Sequence, residues 1–213
     1  MEGLPNKTKK LLKNFALIGV LAIALYNSVY FKPLDEVVSA RNSLDFDPAL
    51  VARNFVDKGL SEVGTTHVSE LLAQLKTDLE ATLEEKGNKL GIGKDYYFMV
   101  EGKAQVLDIL EEEVVVGLDN AAADKIYIAT DFIFGNAIRE ASGVFDIGDY
   151  QNTMDFNNIS IELNNIVREE VIPPFLKNIK QGDHVYFKGA VKVNKKNPNL
   201  DRMRVVPLVL KIN

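Results

Sequence analysis

A chain of 213 residues with 46% hydrophobic residues is long enough to bury one good core, or a small helical subdomain joined to one β domain, so disorder is excluded. Its net charge of −5 is unevenly spread: Lys7, Lys9, Lys10 and Lys13 against Glu2 give residues 1–31 a net +3 and leave −8 for the rest. That acidic body disfavours a nucleic acid as partner, and the lack of any cysteine excludes disulfides, thiolate metal sites, a cysteine nucleophile and a lipid-bearing cysteine.

The first element is the uncharged run "FALIGVLAIALYNSVYF", Phe15 to Phe31. As a helix it measures about 26 Å, near the lower limit for a hydrocarbon core of roughly 30 Å. Tyr26 and Tyr30 fall at the level of an interfacial belt. The preceding lysines put the N-terminus inside, so the reading is a single-pass inner-membrane anchor over 1–31 with an extracytoplasmic C-terminal domain. A cleaved signal peptide is the alternative, with Ala22 and Ala24 as an A-x-A pattern; it leaves a short hydrophobic region and an apolar mature start, "LYNSVYF". Residues 32–45 are polar without a sustained period and read as a tether.

A helical subdomain is expected over 46–93. Asp47 followed by Pro48 is a helix start, with Leu50, Val51, Phe55 and Leu60 as the apolar face. A second helix runs from a cap at Thr66 to Gly87 on Val68, Leu71, Leu72, Leu75, Leu79 and Leu83, and the two form a hairpin around Gly64. From Tyr96 the pattern becomes alternating. "YYFMVEGKAQVLDIL" is one long strand bent or bulged at Gly102, "EVVVGLD" a second, and "DKIYIATDFIF" a third. Next come "FGNAIREASG", a loop, and a helix around Ile159, Leu163, Ile166 and Val167 that ends at Pro173. "HVYFKGAVKV" and "RMRVVPLVLKI" complete the set. Five strands with a helix between the third and fourth is the plan of an OB-like β-barrel over 94–213, with Gly102 and Gly189 supplying bends, and the fold class is α+β.

The stretches "YYFMVEGKAQV", "AIREA" followed by "DYQNTMDFNNISIELN", and the closing "VVPLVLKI" resemble an uncharacterised bacterial family of predicted periplasmic lipoproteins grouped under a domain of unknown function. The resemblance runs from Phe46 to the C-terminus and implies a small helical domain before an OB-like barrel. It also implies a gene neighbourhood of sugar-type ABC transporters and no established activity. Members usually carry a lipobox cysteine where this chain reads "SVYFKPLD", so here a protein anchor replaces the lipid.

Arg139 is the first site candidate, its guanidinium fork suiting a carboxylate, phosphate or sugar hydroxyl, with Asn152 and Asn164 orienting the ligand through their amides. The structural alternative pairs Arg139 with Asp146, Asp149 or Glu140 and has the asparagines capping or bridging backbone. His67 and His184 have no metal-ligand spacing, and the acids at 108–113 and 119–124 read as solvated turns, so no metal and no cofactor is expected. Lys192, Lys195, Lys196, Arg202 and Arg204 make a basic final hairpin. No nucleophile, phosphate-loop or zinc-protease motif occurs, so no catalytic residue is assigned and an enzyme is not expected. The function expected is a membrane-tethered interaction or small-ligand module with an envelope or transporter protein as partner. A structural assembly subunit, or an envelope hydrolase using loop carboxylates, stands as the alternative.

Overall fold

The computed structural model describes residues 11, 14, 15, 17–21, 46–119 and 121–213, the side chains of 121–123 excepted. The chain divides into two units, Met1–Phe46 and Asp47–Asn213. In the first, residues 11, 14, 15 and 17–21 are helical, with Leu11, Phe15, Leu17, Ile18, Val20 and Leu21 exposed. Among the described residues no helix is long and apolar enough to cross a membrane. The anchor expected over Phe15–Phe31 is therefore not seen, and its second half lies outside the described residues, as do the tether and the Ala22–Ala24 pattern.

The second unit opens with α1 (Pro48–Asp57), capped as its sequence requires: the Asp47 carboxylate accepts from Ala49 N at 2.9 Å and Leu50 N at 3.0 Å. Its buried side chains are Ala52 and Phe55, while Leu50 is exposed, because α1 packs against α5 (Thr153–Ile166) rather than pairing as a hairpin with the next helix. Thr66 and His67 form a two-residue strand, β1, parallel to Val100–Glu101. The single helix expected up to Gly87 is two, α2 (Val68–Thr77) and α3 (Leu79–Lys86). Asp78 is extended between them and accepts from Ala81 N at 3.0 Å, so a second cap interrupts the leucine period.

The sheet consists of β1, β2 (Asp95–Ile109), β3 (Glu113–Leu118), β4 (Ala121–Ala129), β5 (His184–Asn194) and β6 (Met203–Ile212). Its order is β1-β2-β3-β4-β6-β5, and β2 also pairs with β5, so the hydrogen bonding of β2 to β6 runs in a closed circuit. All neighbours in that circuit are antiparallel except β4 and β6. Fifteen-residue β2 is long enough to serve two partners, β5 along Asp95–Gln105 and β3 along Ala104–Ile109. The register against β5 passes Gly102 unbroken, correcting the bulge expected there. The β2–β3 shift lies between Val106 and Asp108. Gly102 instead makes room, since a Cβ would stand 2.9 Å from the Phe187 ring and 3.0 Å from Val68. Gly189 does mark an irregularity, where the β5–β6 register shifts and a Cβ would fall 2.3 Å from the Val206 carbonyl.

Inward residues such as Val100, Val116, Ile126, Ile128 and Phe187 are fully buried, and Leu71, Leu72 and Leu75 of α2 join the same cluster. Between β4 and β5 lie α4 (Ala137–Ser142), α5, a π-helical turn at Val167–Val171, and α6 (Ile172–Asn178). Pro173 does not stop the helix as expected. The π turn absorbs the change of hydrogen bonding, and the prolines occupy the first turn of α6, where no amide donor is required.

Candidate functional site

The segment linking β4 to α4 leaves regular structure. The strand expected through Phe134 ends at Ala129, and the Thr130 and Asp131 amides donate to the Glu112 carbonyl at 2.9 and 3.1 Å. Phe132 then takes a φ of +52°, a left-handed conformation unfavourable for a bulky side chain and held only by its surroundings. Those surroundings are specific. Ile133 is buried, Arg168 donates to its carbonyl, and Asn164 Nδ2 donates to the Gly135 carbonyl at 2.8 Å. With the backbone cinched to α5 and the π turn, Phe132 and Phe134 are left exposed, rings edge to face at 6.4 Å.

The six residues of α4 end at Gly143, whose φ of +66° suits the left-handed cap. Arg139 is 3% exposed and Glu140 8%. The Arg139 guanidinium donates to Glu140 Oε1 from Nε at 3.0 Å and Nη2 at 2.6 Å, and from Nη1 to the Phe156 carbonyl at 2.7 Å and Asn157 Oδ1 at 3.2 Å. Its carbon lies 3.6 Å from the centre of the Phe156 ring. Of the three pairings open to Arg139, Glu140 is the one formed. Asp146 instead accepts from the Gly148 amide at 2.7 Å. The pair is thus a buried frame that fastens α4 to α5. Nearby, the Tyr97 hydroxyl donates to Asn136 Oδ1 at 3.2 Å, and burial raises its pKa.

These elements border an open surface cavity of about 470 Å³. Phe134, Gly135 and Asn136 line one side, Arg139 another, and Asn157, Ser160, Ile161 and Asn164 of α5 with Arg168 of the π turn the third. Ser160 is 7% exposed and its hydroxyl has no partner among the described residues. That oxygen is itself buried in the wall and does not open onto the cavity. Two of the three expected ligand residues, Arg139 and Asn164, are brought together here. Asn152 is elsewhere, capping α5 by accepting from Asp155 N at 2.9 Å. Sequence reasoning missed Asn157, Ser160, Ile161 and Arg168, although positions 157, 160, 164 and 168 are spaced by three or four residues and form a stripe along one helical face, with Ile161 beside it.

Other expected groups are engaged in the fold. The basic final hairpin meets acids: Lys195 pairs with Glu80 and Glu84, Lys192 lies 3.6 Å from Asp95, and Arg202 2.6 Å from Glu113. Asp124 is held by Lys76 at 2.6 Å. Among the described residues no cluster of three or more His, Asp or Glu is placed to hold a metal ion.

Comparison with known proteins adds a fold and a family. The crystal structure of an OB-fold protein from Thermotoga maritima matches with a TM-score of 0.69 and 26% identity over 79% of this chain and 99% of that one. The strand circuit described above, with its parallel β4–β6 pairing and the helices between β4 and β5, accords with that likeness. No curated protein matches the chain. The family model of the predicted periplasmic lipoproteins (DUF2291) matches residues 19–211, nearly the whole chain, and the protein belongs to that family.

Proposed function

We propose that this protein is an extracytoplasmic module that binds a small ligand in the α4–α5 cavity, tethered to the membrane by its N-terminal apolar run and working with an envelope or transporter protein. The observation that carries the reading is the cavity of about 470 Å³, which combines amide and guanidinium groups with the exposed apolar side chains of Phe134 and Ile161. Its size and mixed lining suit a small organic molecule. Membership of a predicted periplasmic lipoprotein family supports the extracytoplasmic placement. Glu140, the carboxylate beside Arg139, is occupied by that guanidinium, which favours binding over acid–base chemistry.

Ile161 is half exposed, so Ile161→Trp fills the cavity mouth without disturbing the core. Small molecules that co-purify with the full chain, or that raise its Tm on addition, are expected to be lost in this variant while the unliganded Tm stays within a few degrees. Identical ligand content and thermal shifts in the two proteins would overturn the reading. Loss of a co-purifying protein with no change in small molecules would make the same surface a docking site. A reporter fused after residue 213 tests the placement, and cytoplasmic activity of the reporter would rule it out.

A further inference from the structure

We infer that the α4–α5 cavity takes a small organic anion, its carboxylate or phosphate group set against Arg168 and Asn157 and its carbon skeleton against Phe134 and Ile161. This inference rests on the ligand-binding reading above and specifies its chemistry. It follows from which polar groups around the cavity are already satisfied.

Arg139, the residue the sequence singled out, is not the anion's partner. Its Nε and Nη2 face Glu140, its Nη1 is taken by the Phe156 carbonyl and Asn157 Oδ1, and Glu140 cancels its charge. Arg168 differs. It donates to the Ile133 carbonyl and to Asn165 Oδ1, both neutral, and forms no ion pair among the described residues. Its charge therefore lacks a direct carboxylate partner at the cavity edge, Glu162 being reached only through Asn165.

Asn157 accepts through Oδ1 from Arg139, which leaves its amide NH2 without a partner among the described residues. The Ser160 hydroxyl is likewise unpaired but buried in the wall. The cavity thus offers N–H donors and one positive charge, while Glu140, the carboxylate beside Arg139, is committed to Arg139 and, at 3.4 Å, to Asn136. The complement of such a set is an oxygen-rich acceptor carrying negative charge, and hydrogen bonds to an ionised acceptor are the stronger kind. Phe134 and Ile161, 69% and 52% exposed, would lose water only against a ligand that also has a non-polar part.

The test uses the full chain in detergent, titrated calorimetrically with benzoate, phenyl phosphate, benzyl alcohol and inorganic phosphate. Wild type, Ile161→Trp, Arg168→Gln and Arg168→Lys are compared. One or both aromatic anions are expected to bind at least about tenfold more tightly than benzyl alcohol, a difference of about 1.4 kcal/mol. Whichever of benzoate and phenyl phosphate is preferred names the anionic group, and inorganic phosphate should bind more weakly than phenyl phosphate. Arg168→Gln should erase the preference over benzyl alcohol, Arg168→Lys should restore part of it, and Ile161→Trp should weaken every probe. Benzyl alcohol binding as tightly as the anions, and lost in Ile161→Trp, would overturn the anion inference and leave the cavity reading standing. If no probe shows binding sensitive to Ile161→Trp, both fall.

Discussion

The interior of the sheet and the corner where α4 meets α5 are buried to a similar degree, yet different physics holds them. Val100, Val116, Ile126, Ile128 and Phe187 are fully buried with nothing polar to satisfy, so their attraction is non-directional and scales with the area removed from water. Arg139, Glu140, Ser160 and Asn164 are each under a tenth exposed, and three of the four are held by directed hydrogen bonds. In the sheet it matters how much is removed. In the corner it matters which group is left behind.

The largest expected effect follows from that asymmetry. Arg139→Met strands the Glu140 carboxylate without its counter-ion and should destabilise the fold by about 3–5 kcal/mol. Adding Glu140→Leu removes the stranded charge, and the double variant should recover more than half of the loss by urea denaturation. Losses that simply add would show that the corner behaves like the sheet. The sheet is tested next with Gly189→Ala. Its Cβ would fall 2.3 Å from the Val206 carbonyl, a backbone atom that cannot swing aside, and the expected cost is about 1–3 kcal/mol. Ile126→Val, which only removes a methylene from the same core, should cost about 0.5–1.5 kcal/mol. A Gly189→Ala variant as stable as wild type would show that β5 and β6 can separate locally.

The contrast between the two regions also marks what could be read from sequence. The Asp47–Pro48 helix start and the five principal strands were legible because caps and alternation are local signals. The bulge read at Gly102 was wrong because a glycine that makes room for the Phe187 ring looks the same in sequence as one that interrupts a ladder. Asp78 broke a leucine-spaced helix, and Pro173 failed to end one, because a capping side chain and a π turn leave no periodic trace. The corner was harder still. Adjacent residues on a helix do not normally face each other, so an Arg139–Glu140 pair on a six-residue helix was only one of three choices. The cavity joins residues 134–139 to a stripe at 157–168, and only the folded chain brings them together.

A smaller effect is expected at the cap that starts α5. Asn152 accepts from the Asp155 amide and does not line the cavity. Asn152→Ala should therefore lower stability by about 1 kcal/mol while leaving ligand affinity unchanged. A measurable loss of affinity by calorimetry would mean that the α5 N-terminus and the cavity are coupled.

The smallest expected effect lies on the half-buried face of the β2–β5 pair, where the Tyr186 hydroxyl donates to Glu101 Oε2 at 2.7 Å. Burial, then the bond to Glu101, pushes the Tyr186 hydroxyl up to about 12. The bond from Tyr186 holds the Glu101 carboxyl below its ordinary value of 4.5. A lowered carboxylate binds fewer protons folded than unfolded, so its contribution is complete above about pH 4.5 and fades as pH falls through the folded value. A raised phenol binds more protons folded than unfolded, so its contribution is complete below about pH 10 and is lost as pH rises towards 12. Tyr186→Phe should flatten both limbs of a stability–pH curve while changing stability at pH 7 by less than about 1 kcal/mol, because water screens the pair. The Glu101 carboxyl, followed by its side-chain NMR shift, should titrate closer to its ordinary value in the variant. An unchanged titration would mean that the tyrosine is not what holds Glu101 ionised, and a loss at pH 7 as large as that of Arg139→Met would erase the distinction between a half-exposed hydrogen bond and a buried ion pair.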